Sequence, residues 1–336
     1  MVRYLINRIV SLILILISVT IVTFAIAQLS SADPAVQLAG DFPPDEVVQQ
    51  LREELGLDDP VPIQYLNYVR GLFVGDFGES YFSKQPISSE LGERIGATID
   101  LATAALLFAI LIGIPTGIAS AVYQNSPIDH FGRFLAVFGT AIPVFFLGLM
   151  LVRVFYTELG VLPASGRYAI ELPPPPTVTN SLIVDSILAG DWTVLRSAST
   201  HLILPALTLG LFGAGTISRV MRASMLEILG SEFIVTARVK GIPERRIILV
   251  HALRNAMLPG LTIIGLTYGA LLGGAVLTET VFSWPGLGLY GVRAMVYLDF
   301  PAVMAVVILI TVAYVLMNLI VDILYGVLDP RVRTAR

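Results

Sequence analysis

The sequence predicts an all-α integral membrane protein with six transmembrane helices. Of its 336 residues, 55% are apolar and only 14% are charged, and the mean hydropathy is +0.81. So small a polar fraction does not cover the surface of a water-soluble domain of this size. A bilayer core about 30 Å thick requires roughly 20 apolar residues per helix. Six apolar runs reach this length, at residues 9–29, 98–123, 134–156, 202–221, 256–277 and 301–325.

The first apolar run follows Arg3 and Arg8, as a signal peptide would, and residues 25–27 (AIA) resemble a signal-peptidase site. The run is longer than the apolar region of a signal peptide, however. We therefore expect it to be a retained transmembrane helix.

The distribution of basic residues predicts the orientation. Six spans place both termini on one side, and lysine and arginine mark the cytoplasmic side. Thirteen of the 21 basic residues fall on one face: Arg3, Arg8, Arg133, Arg219, Arg222, Arg238, Lys240, Arg245, Arg246, Arg254, Arg331, Arg333 and Arg336. Both termini are therefore predicted to be cytoplasmic. Twelve of the 25 acidic residues lie between Asp33 and Glu93, which indicates a solvated external segment.

These patterns divide the chain into four parts. Residues 1–29 form the N-terminal cytoplasmic end and the first span, and residues 30–96 form the external segment. A five-helix core follows at residues 97–325, with a cytoplasmic loop at residues 225–255. Residues 326–336 form a cytoplasmic tail.

Glycines and prolines within the runs predict close packing and kinks. Gly265, Gly269 and Gly273 recur at four-residue spacing, so they share one helix face and permit close backbone contact with another helix. Prolines within or near apolar runs should kink helices or free backbone carbonyls. These are Pro115, Pro143 and Pro205. Charges near span ends should pair or extend toward the interface. These are Asp100, Arg153 and Asp322.

The stretch at residues 230–246 (GSEFIVTARVKGIPERR) lies between two spans on the positive side and reads as two short helices. Ser231 suits an N-cap with Glu232 in the first turn, and Gly241 suits the position just after a helix end. Pro243 suits the first turn of a second helix. That helix should continue over residues 245–257 and lead into the next span.

This stretch resembles the EAA loop of ABC importer permeases. Glu232, Ala237 and Gly241, with Leu258 and Pro259 downstream, occupy the places of that pattern. The resemblance implies that the first short helix sits in a groove of a cytoplasmic ATPase and transmits its closure to the membrane helices. The residues assigned to this coupling are Glu232, Ala237, Arg238, Lys240 and Gly241.

Further stretches resemble the dipeptide and oligopeptide branch of these permeases, the binding-protein-dependent transport system inner-membrane components. They are residues 55–58 (LGLD), 64–65 (QY), 75–80 (GDFGES), 277–288 (LTETVFSWPGLG) and 328–333 (LDPRVR). The chain departs from the family pattern at residues 31–34 (SADP) and in the proline run 173–176. The resemblance implies a type I ABC importer permease fold.

The resemblance also implies the partners: a second homologous permease, two ATP-binding subunits or domains, an external solute-binding protein and membrane lipid, with no nucleic acid. The expected cargo is di- or oligopeptides. Oligosaccharides or a metal chelate are alternatives within the family. An ion-coupled secondary transporter, or a sensor that binds an ATPase without transport, are alternatives of other classes.

No catalytic site is expected. The chain has no cysteine and no G-x-x-x-x-G-K-[ST] or H-E-x-x-H motif, so ATP and Mg²⁺ should be bound by partner ATPases and this chain should hold no cofactor. The three histidines, His130, His201 and His251, lack ligand spacing, and we expect no metal site. Trp284 and Tyr290 are predicted to be interfacial anchors, with an outer gate as the alternative.

Overall fold

The computed structural model describes residues 2–29, 33–40 and 43–328. The first helix, α1, is a long apolar helix, and three shorter helices follow it in the external segment. Their bounds are Val2–Leu29 for α1, Pro34–Ala39 for α2, Asp45–Glu54 for α3 and Val61–Val74 for α4. Within the described residues, the segment expected to be external is thus largely helical.

Helix α5, Ile87–Val122, begins well before the predicted start of the second span. Its 36 residues extend about 54 Å, which exceeds the hydrocarbon core of a bilayer. Its first turns therefore project from the membrane toward α2 to α4. We call this the acidic end of the molecule, and the opposite end, which carries residues 123–133 and 222–255, the basic end.

The third span is broken at Pro143, where the sequence predicts a kink. Helix α6 spans Pro127–Ala141, helix α7 spans Val144–Val152, and a π-helical turn continues at Arg153–Glu158. The two halves meet at an angle of 104°. Pro143 causes the break, because the residue before a proline is driven out of helical conformation and Ile142 is extended, with φ −82° and ψ 131°.

The rest of the chain is also helical. The bounds are Leu182–Ala189 for α8, Trp192–Leu229 for α9, Glu232–Val239 for α10, Glu244–Arg246 for α11, Leu253–Val281 for α12, Leu287–Val296 for α13 and Phe300–Leu328 for α14. A π-helical turn, Ile247–Ala252, joins α11 to α12 without a break. Pro115 and Pro205 lie inside α5 and α9.

Among the described residues, five helical stretches are long and apolar enough to cross a membrane, and the number is six when the bent pair α6 and α7 is counted as one span. The all-α, six-span prediction is therefore confirmed. The side chain of Asp322 and residues 329–336 lie outside what the structure describes.

Helices α5 and α9 form the centre of the bundle. They approach closely because glycines face the opposing backbone. A Cβ on Gly113 would lie 2.8 Å from the carbonyl oxygen of Ala214, and one on Gly210 would lie 2.7 Å from that of Ala105. Buried apolar side chains of α12 pack against this pair at both ends, including Ala256 and Leu271. Helix α1 lies at the periphery, and most of its apolar side chains are exposed.

Candidate coupling site

The stretch with the EAA-like pattern forms the short helix α10 and then becomes helical again within one residue of the predicted position, whereas α9 extends farther into the loop than expected. Helix α9 continues to Leu229 and helical structure resumes at Glu244. Ser231 occupies the N-cap position of α10 as predicted, with φ −77° and ψ 151°. Its hydroxyl does not cap the helix, however, because it donates to the carbonyl oxygen of Ile228 at 2.5 Å. Pro243 is the residue before α11 rather than part of its first turn.

Gly241 ends α10 in a Schellman motif. The N–H of Gly241 donates to the carbonyl oxygen of Arg238 at 2.9 Å, and the N–H of Ile242 donates to that of Ala237 at 3.2 Å. The φ of Gly241 is +73°, in the left-handed region that favours glycine. Apart from the adjoining residues, no heavy atom of the chain lies within 4 Å of where its Cβ would be. The turn alone therefore explains the glycine within this chain, and the space beside it is open to a partner.

The two faces of α10 differ in burial. Ile234 is fully buried and Ala237 is 8% exposed. On the outward side, Phe233, Val235 and Val239 are exposed at 46%, 52% and 83%. A short helix that presents several large apolar side chains to water is typical of a surface that a partner covers.

This division changes the role expected of Ala237. The resemblance assigned Ala237 to coupling with the ATPase, but its side chain faces the chain's own core. The exposed Phe233 and Val239 were not among the predicted coupling residues. Their apolar character within a basic loop was visible in the sequence, but their direction depends on which face of α10 packs inward.

The charged residues assigned to coupling remain on the surface. Glu232 and Lys240 are exposed at the two ends of α10. Arg238 Nη2 lies 2.8 Å from Glu244 Oε1 across the turn at Gly241, and both side chains are about half exposed. The hydrogen bond and charge of Glu244 raise the pKa of Arg238. This pair links α10 to α11 at the surface.

The inward face of α10 contacts two membrane helices at once. Ile234 and Ala237 share one apolar cluster with Ile247 and Ala252 of the π-helical turn, and with Met221 of α9. The turn continues directly into α12, so one helical run extends from Glu244 to Val281. π-Helical turns often mark functional sites. The inward face of α10 therefore packs against the turn that leads into α12 and shares an apolar core with α9.

A buried ion pair joins α6 to α9 at the basic end. Asp129, in the first turn of α6, is fully buried. Arg222 of α9 donates to it from Nε at 2.8 Å and from Nη2 at 2.9 Å. The backbone N–H of Asn125 donates at 3.0 Å, and Arg133 Nε lies 3.4 Å from Oδ1. In the sequence, Arg133 and Arg222 served only as orientation signals, and their pairing with Asp129 was not predicted.

The three spaced glycines of α12 all face α14. A Cβ on Gly265 would overlap the side chain of Val321. One on Gly269 would lie 2.9 Å from Tyr314 Cδ2, and one on Gly273 would lie 3.7 Å from Ile310 Cγ2. The approach of the two helices is therefore closest near the basic end.

At the acidic end, buried carboxylates connect distant segments. Asp100 of α5 accepts hydrogen bonds from Ser181 Oγ at 2.5 Å and from Arg167 Nη2 at 2.8 Å. Glu279 of α12 accepts from Thr98 Oγ1 at 2.7 Å and from the Leu289 N–H at 2.9 Å. The expectation that Asp100 pairs is confirmed, and so is that for Arg153, which lies 3.1 Å from Glu158.

The anchoring prediction for Trp284 and Tyr290 is wrong. An interfacial anchor faces the lipid headgroups, but these residues are 1% and 8% exposed. Trp284 Nε1 donates to the carbonyl oxygen of Ala97 at 2.8 Å, and the Tyr290 hydroxyl donates to Glu90 Oε2 at 2.7 Å. Burial and this hydrogen bond raise the pKa of Tyr290. Through these hydrogen bonds, both side chains hold the segment after α12 against α5.

Among residues 2–29, 33–40 and 43–328, no group of three or more His, Asp or Glu side chains is arranged to hold a metal ion. His130 Nδ1 contacts Arg133, and His201 Nδ1 contacts the carbonyl oxygen of Ser197. His251 Nε2 is buried in the π-helical turn without a hydrogen-bond partner in the described structure.

Comparison with known proteins places this architecture in a family. Residues 113–334 match the family model described as "Binding-protein-dependent transport system inner membrane component", and residues 1–102 match the model of the N-terminal part of such components. In fold, the chain resembles the inward-facing MetNI methionine ABC transporter, with a TM-score of 0.56 and 16% identity over 72% of this chain and 97% of that chain.

Relatives that match nearly the whole chain indicate the same family. The chain is 46% identical over 321 residues to the probable D,D-dipeptide transport system permease protein DdpB of Escherichia coli K12, covering 96% of this chain and 94% of the relative. It is 41% identical over 335 residues to the dipeptide transport system permease protein DppB of Alkalihalophilus pseudofirmus, covering 99% and 100%. The chain therefore belongs to the family of inner membrane components of binding-protein-dependent transport systems, the permeases of ABC importers.

Proposed function

We propose that this permease carries dipeptides and short oligopeptides across the inner membrane, driven by ATPase subunits that dock on α10. The observation that carries the proposal is the two-faced burial of α10. Phe233 and Val239 are exposed, while Ile234 and Ala237 contact α9 and the π-helical turn that leads into α12. Such a helix converts movement of a partner into movement of membrane helices.

The remaining subunits follow from the family. We propose a second, homologous permease, two ATP-binding subunits or domains that hold ATP and Mg²⁺, and an external solute-binding protein that delivers cargo. Both termini and α10 would be cytoplasmic, because the basic residues concentrate at that end. The solute would cross between the two permeases. Approach of the ATPases would push α10 and open the bundle outward, and hydrolysis would reverse this.

Peptide cargo is supported by the relatives, which are named as dipeptide permeases and match nearly the whole chain. The observations behind a secondary transporter are weaker. An ion-coupled transporter needs charged side chains free to bind the ion, but Asp100 and Arg153 each form an ion pair at the acidic end of the molecule.

Reconstitution of the affinity-purified complex in proteoliposomes tests the proposal. We expect ATPase and solute-binding subunits to copurify, and labelled dipeptide uptake to require ATP. Unlabelled peptides should compete for uptake, whereas an oligosaccharide or a metal chelate should not. Uptake by this chain alone under an ion gradient would contradict the ATPase-driven role. Competition by sugar or chelate alone would contradict only the peptide assignment.

A further inference from the structure

Two adjacent cavities lie between the peripheral helix α1 and the start of α14. The first, of about 910 Å³, lies among α1, the external segment and α14, and we call it the polar cavity. The second, of about 620 Å³, lies between α1, α13 and α14, and we call it the apolar cleft. Phe300 and Met304 line both. The two cavities therefore meet at one seam of the bundle.

The apolar cleft has the chemistry of an acyl-chain site. Val22 and Ile26 of α1 face Val303 and Val307 of α14 across it. It also contains two hydroxyl side chains, but these donate to carbonyl oxygens of their own helix. Ser18 Oγ lies 2.8 Å from the Leu14 oxygen and Thr23 Oγ1 lies 2.9 Å from the Val19 oxygen. The cleft therefore offers an entering molecule only apolar contact.

The length of the cleft and its depth in the membrane also suit an acyl chain. From Ser18 to Ile26 it follows α1 for about 12 Å, close to the roughly 15 Å of hydrocarbon in one leaflet. Its α1 lining lies in the half of the span nearest the acidic end. The α1 lining of the polar cavity continues from Phe24 to Gln28. Along the membrane normal, the polar cavity thus lies directly beyond the apolar cleft. A lipid has its headgroup and acyl chain in the same order.

The charge of the polar cavity favours a cationic group. Asp33, Asp76 and Glu79 line it together with Arg52, for a net formal charge of −2. Arg52 is occupied, because its guanidinium lies 2.5 Å from Asp33 and 3.0 Å from Asp58. An anionic headgroup would meet unbalanced carboxylates there. An ammonium group would be attracted to them.

Neutral polar side chains complete the compartment. Gln28, Gln64 and Asn67 line it, and Gln28 Nε2 donates to Gln64 Oε1 at 2.6 Å. Gln64 Nε2 already donates to the carbonyl oxygens of Leu57 and Asp59, both at 2.8 Å. The amide donors left for the phosphate and ester oxygens next to an amine therefore belong to Gln28 and Asn67. A peptide would use the polar cavity but would leave the apolar cleft unfilled.

We propose that this seam binds one glycerophospholipid with an amine headgroup, of the phosphatidylethanolamine type. An acyl chain lies in the apolar cleft between α1 and α14, and the ammonium lies in the polar cavity near Asp76 and Glu79. The lipid comes from the leaflet at the acidic end. It bridges α1 and the external segment to α14. The inference requires only that the chain spans a membrane, so it is independent of the cargo and of the ATPase partners.

Native mass spectrometry of the purified complex tests the acyl-chain contact. After delipidation, the complex is titrated with phosphatidylethanolamine and with phosphatidylglycerol of the same chains. Val22→Trp combined with Val303→Trp fills the cleft and should weaken phosphatidylethanolamine binding roughly tenfold. Ile21→Trp is the control, because Ile21 is on the same helix and is 50% exposed, against 55% for Val22, but does not line the cleft. Equal loss in the control would overturn the site.

A second pair of variants tests the headgroup. Wild type should bind phosphatidylethanolamine at least about fivefold more tightly than phosphatidylglycerol, and Asp76→Asn with Glu79→Gln should abolish that preference. Equal or tighter binding of phosphatidylglycerol by wild type would contradict the amine assignment.

If the tryptophan variants fail to assemble, photo-crosslinking tests whether lipid occupies the apolar cleft. A benzophenone amino acid at position 303 of the otherwise unchanged complex should form a lipid adduct. An adduct with another protein subunit and none with lipid would show that a partner helix fills the cleft, and the proposal would be wrong.

Discussion

Arg222 of α9 binds the buried carboxylate of Asp129 of α6 through two nitrogens, at 2.8 Å and 2.9 Å. The contact joins residues 93 positions apart. Arg222 lies about two turns before the end of α9, where the chain enters α10. The pair therefore holds the first half of the broken span against the helix that leads into the candidate coupling site.

We expect Arg222→Leu to destabilise the protein by about 3 kcal/mol, because it leaves Asp129 buried without its main partner. Thermal unfolding in detergent measures the loss. Asp129→Leu combined with Arg222→Leu should recover more than half of it, since no buried charge remains. Additive losses in the double variant would show that the two side chains do not act as a pair.

Gly241→Val should uncouple ATP hydrolysis from uptake. A β-branched residue at φ +73° is strained by roughly 1–2 kcal/mol and displaces the end of α10. Uptake and ATP hydrolysis by the reconstituted complex are measured together, and we expect the ratio of solute to ATP to fall at least about fivefold. Gly230→Ala is the matched control, because Gly230 lies at the other end of α10 with φ −84°.

Gly241→Asn should behave more mildly than Gly241→Val, because asparagine enters the left-handed region at lower cost. Equal coupling in the valine variant and in wild type would count against a mechanical role for this turn.

The exposed face of α10 should determine the affinity for the ATPase. Val239→Asp places a charge on an 83% exposed position, so we expect little effect on unfolding but roughly tenfold weaker retention of the ATPase. Pull-down against added ATPase measures the change. Val296→Asp, at a 72% exposed valine of the acidic end, is the control. A similar loss of ATPase with the control would remove α10 as the specific contact.

Replacement of a glycine of α12 by alanine should be more harmful where α12 lies closest to α14. Gly265→Ala meets Val321 directly and should destabilise the protein by about 1–3 kcal/mol. Gly273→Ala meets only Ile310 at an ordinary contact distance and should be nearly neutral. Thermal unfolding of the two variants in the same detergent makes the comparison. A larger effect at position 273 would contradict the observed packing.

The loop before α8 should lose stability in acid. Asp185 is 2% exposed and accepts hydrogen bonds from the N–H and the hydroxyl of Thr179 at 2.9 Å and 2.8 Å. Burial opposes its ionisation, but the hydrogen bonds from Thr179 and from the backbone of Val178 and Asn180 lower its pKa overall. A lowered pKa means that the ionised carboxylate stabilises the fold above the unfolded-state pKa of about 3.9 and that this stabilisation disappears below it.

Hydrogen exchange at the Thr179 amide tests this. In Asp185→Asn, exchange should be about tenfold faster than in wild type at pH 7, since one charged acceptor is lost. The ratio should stay constant down to about pH 4 and then fall toward one. A ratio that does not depend on pH would contradict a role for the carboxylate charge.

The sequence predicted the helical class, the number of spans and the end of α10 at Gly241, because these depend on local properties. An apolar run long enough to span a bilayer must be helical, and a glycine after a basic helix end favours the left-handed turn. Pro143 also predicted the break in the third span, but not its 104° angle.

The site could be located from the sequence but not oriented. Residues 230–246 identified the position of α10, yet Ala237 faces inward and Phe233 outward because the ends of α9 and α12 lie on one side of the helix. Asp129 and Arg222 were unremarkable in the sequence because ion pairing across 93 positions leaves no local pattern.

By itself, the sequence determined that the chain is an α-helical membrane protein, how many times it crosses, and where it turns at Gly241, since composition and backbone preference act within a few residues. Only the tertiary structure decided which side of α10 is exposed, which partner neutralises Asp129, and that Trp284 is buried against α5 rather than facing lipid. These features depend on how helices distant in sequence pack together. The interactions that stabilise this packing join residues from different segments, so no single segment of the sequence reveals them.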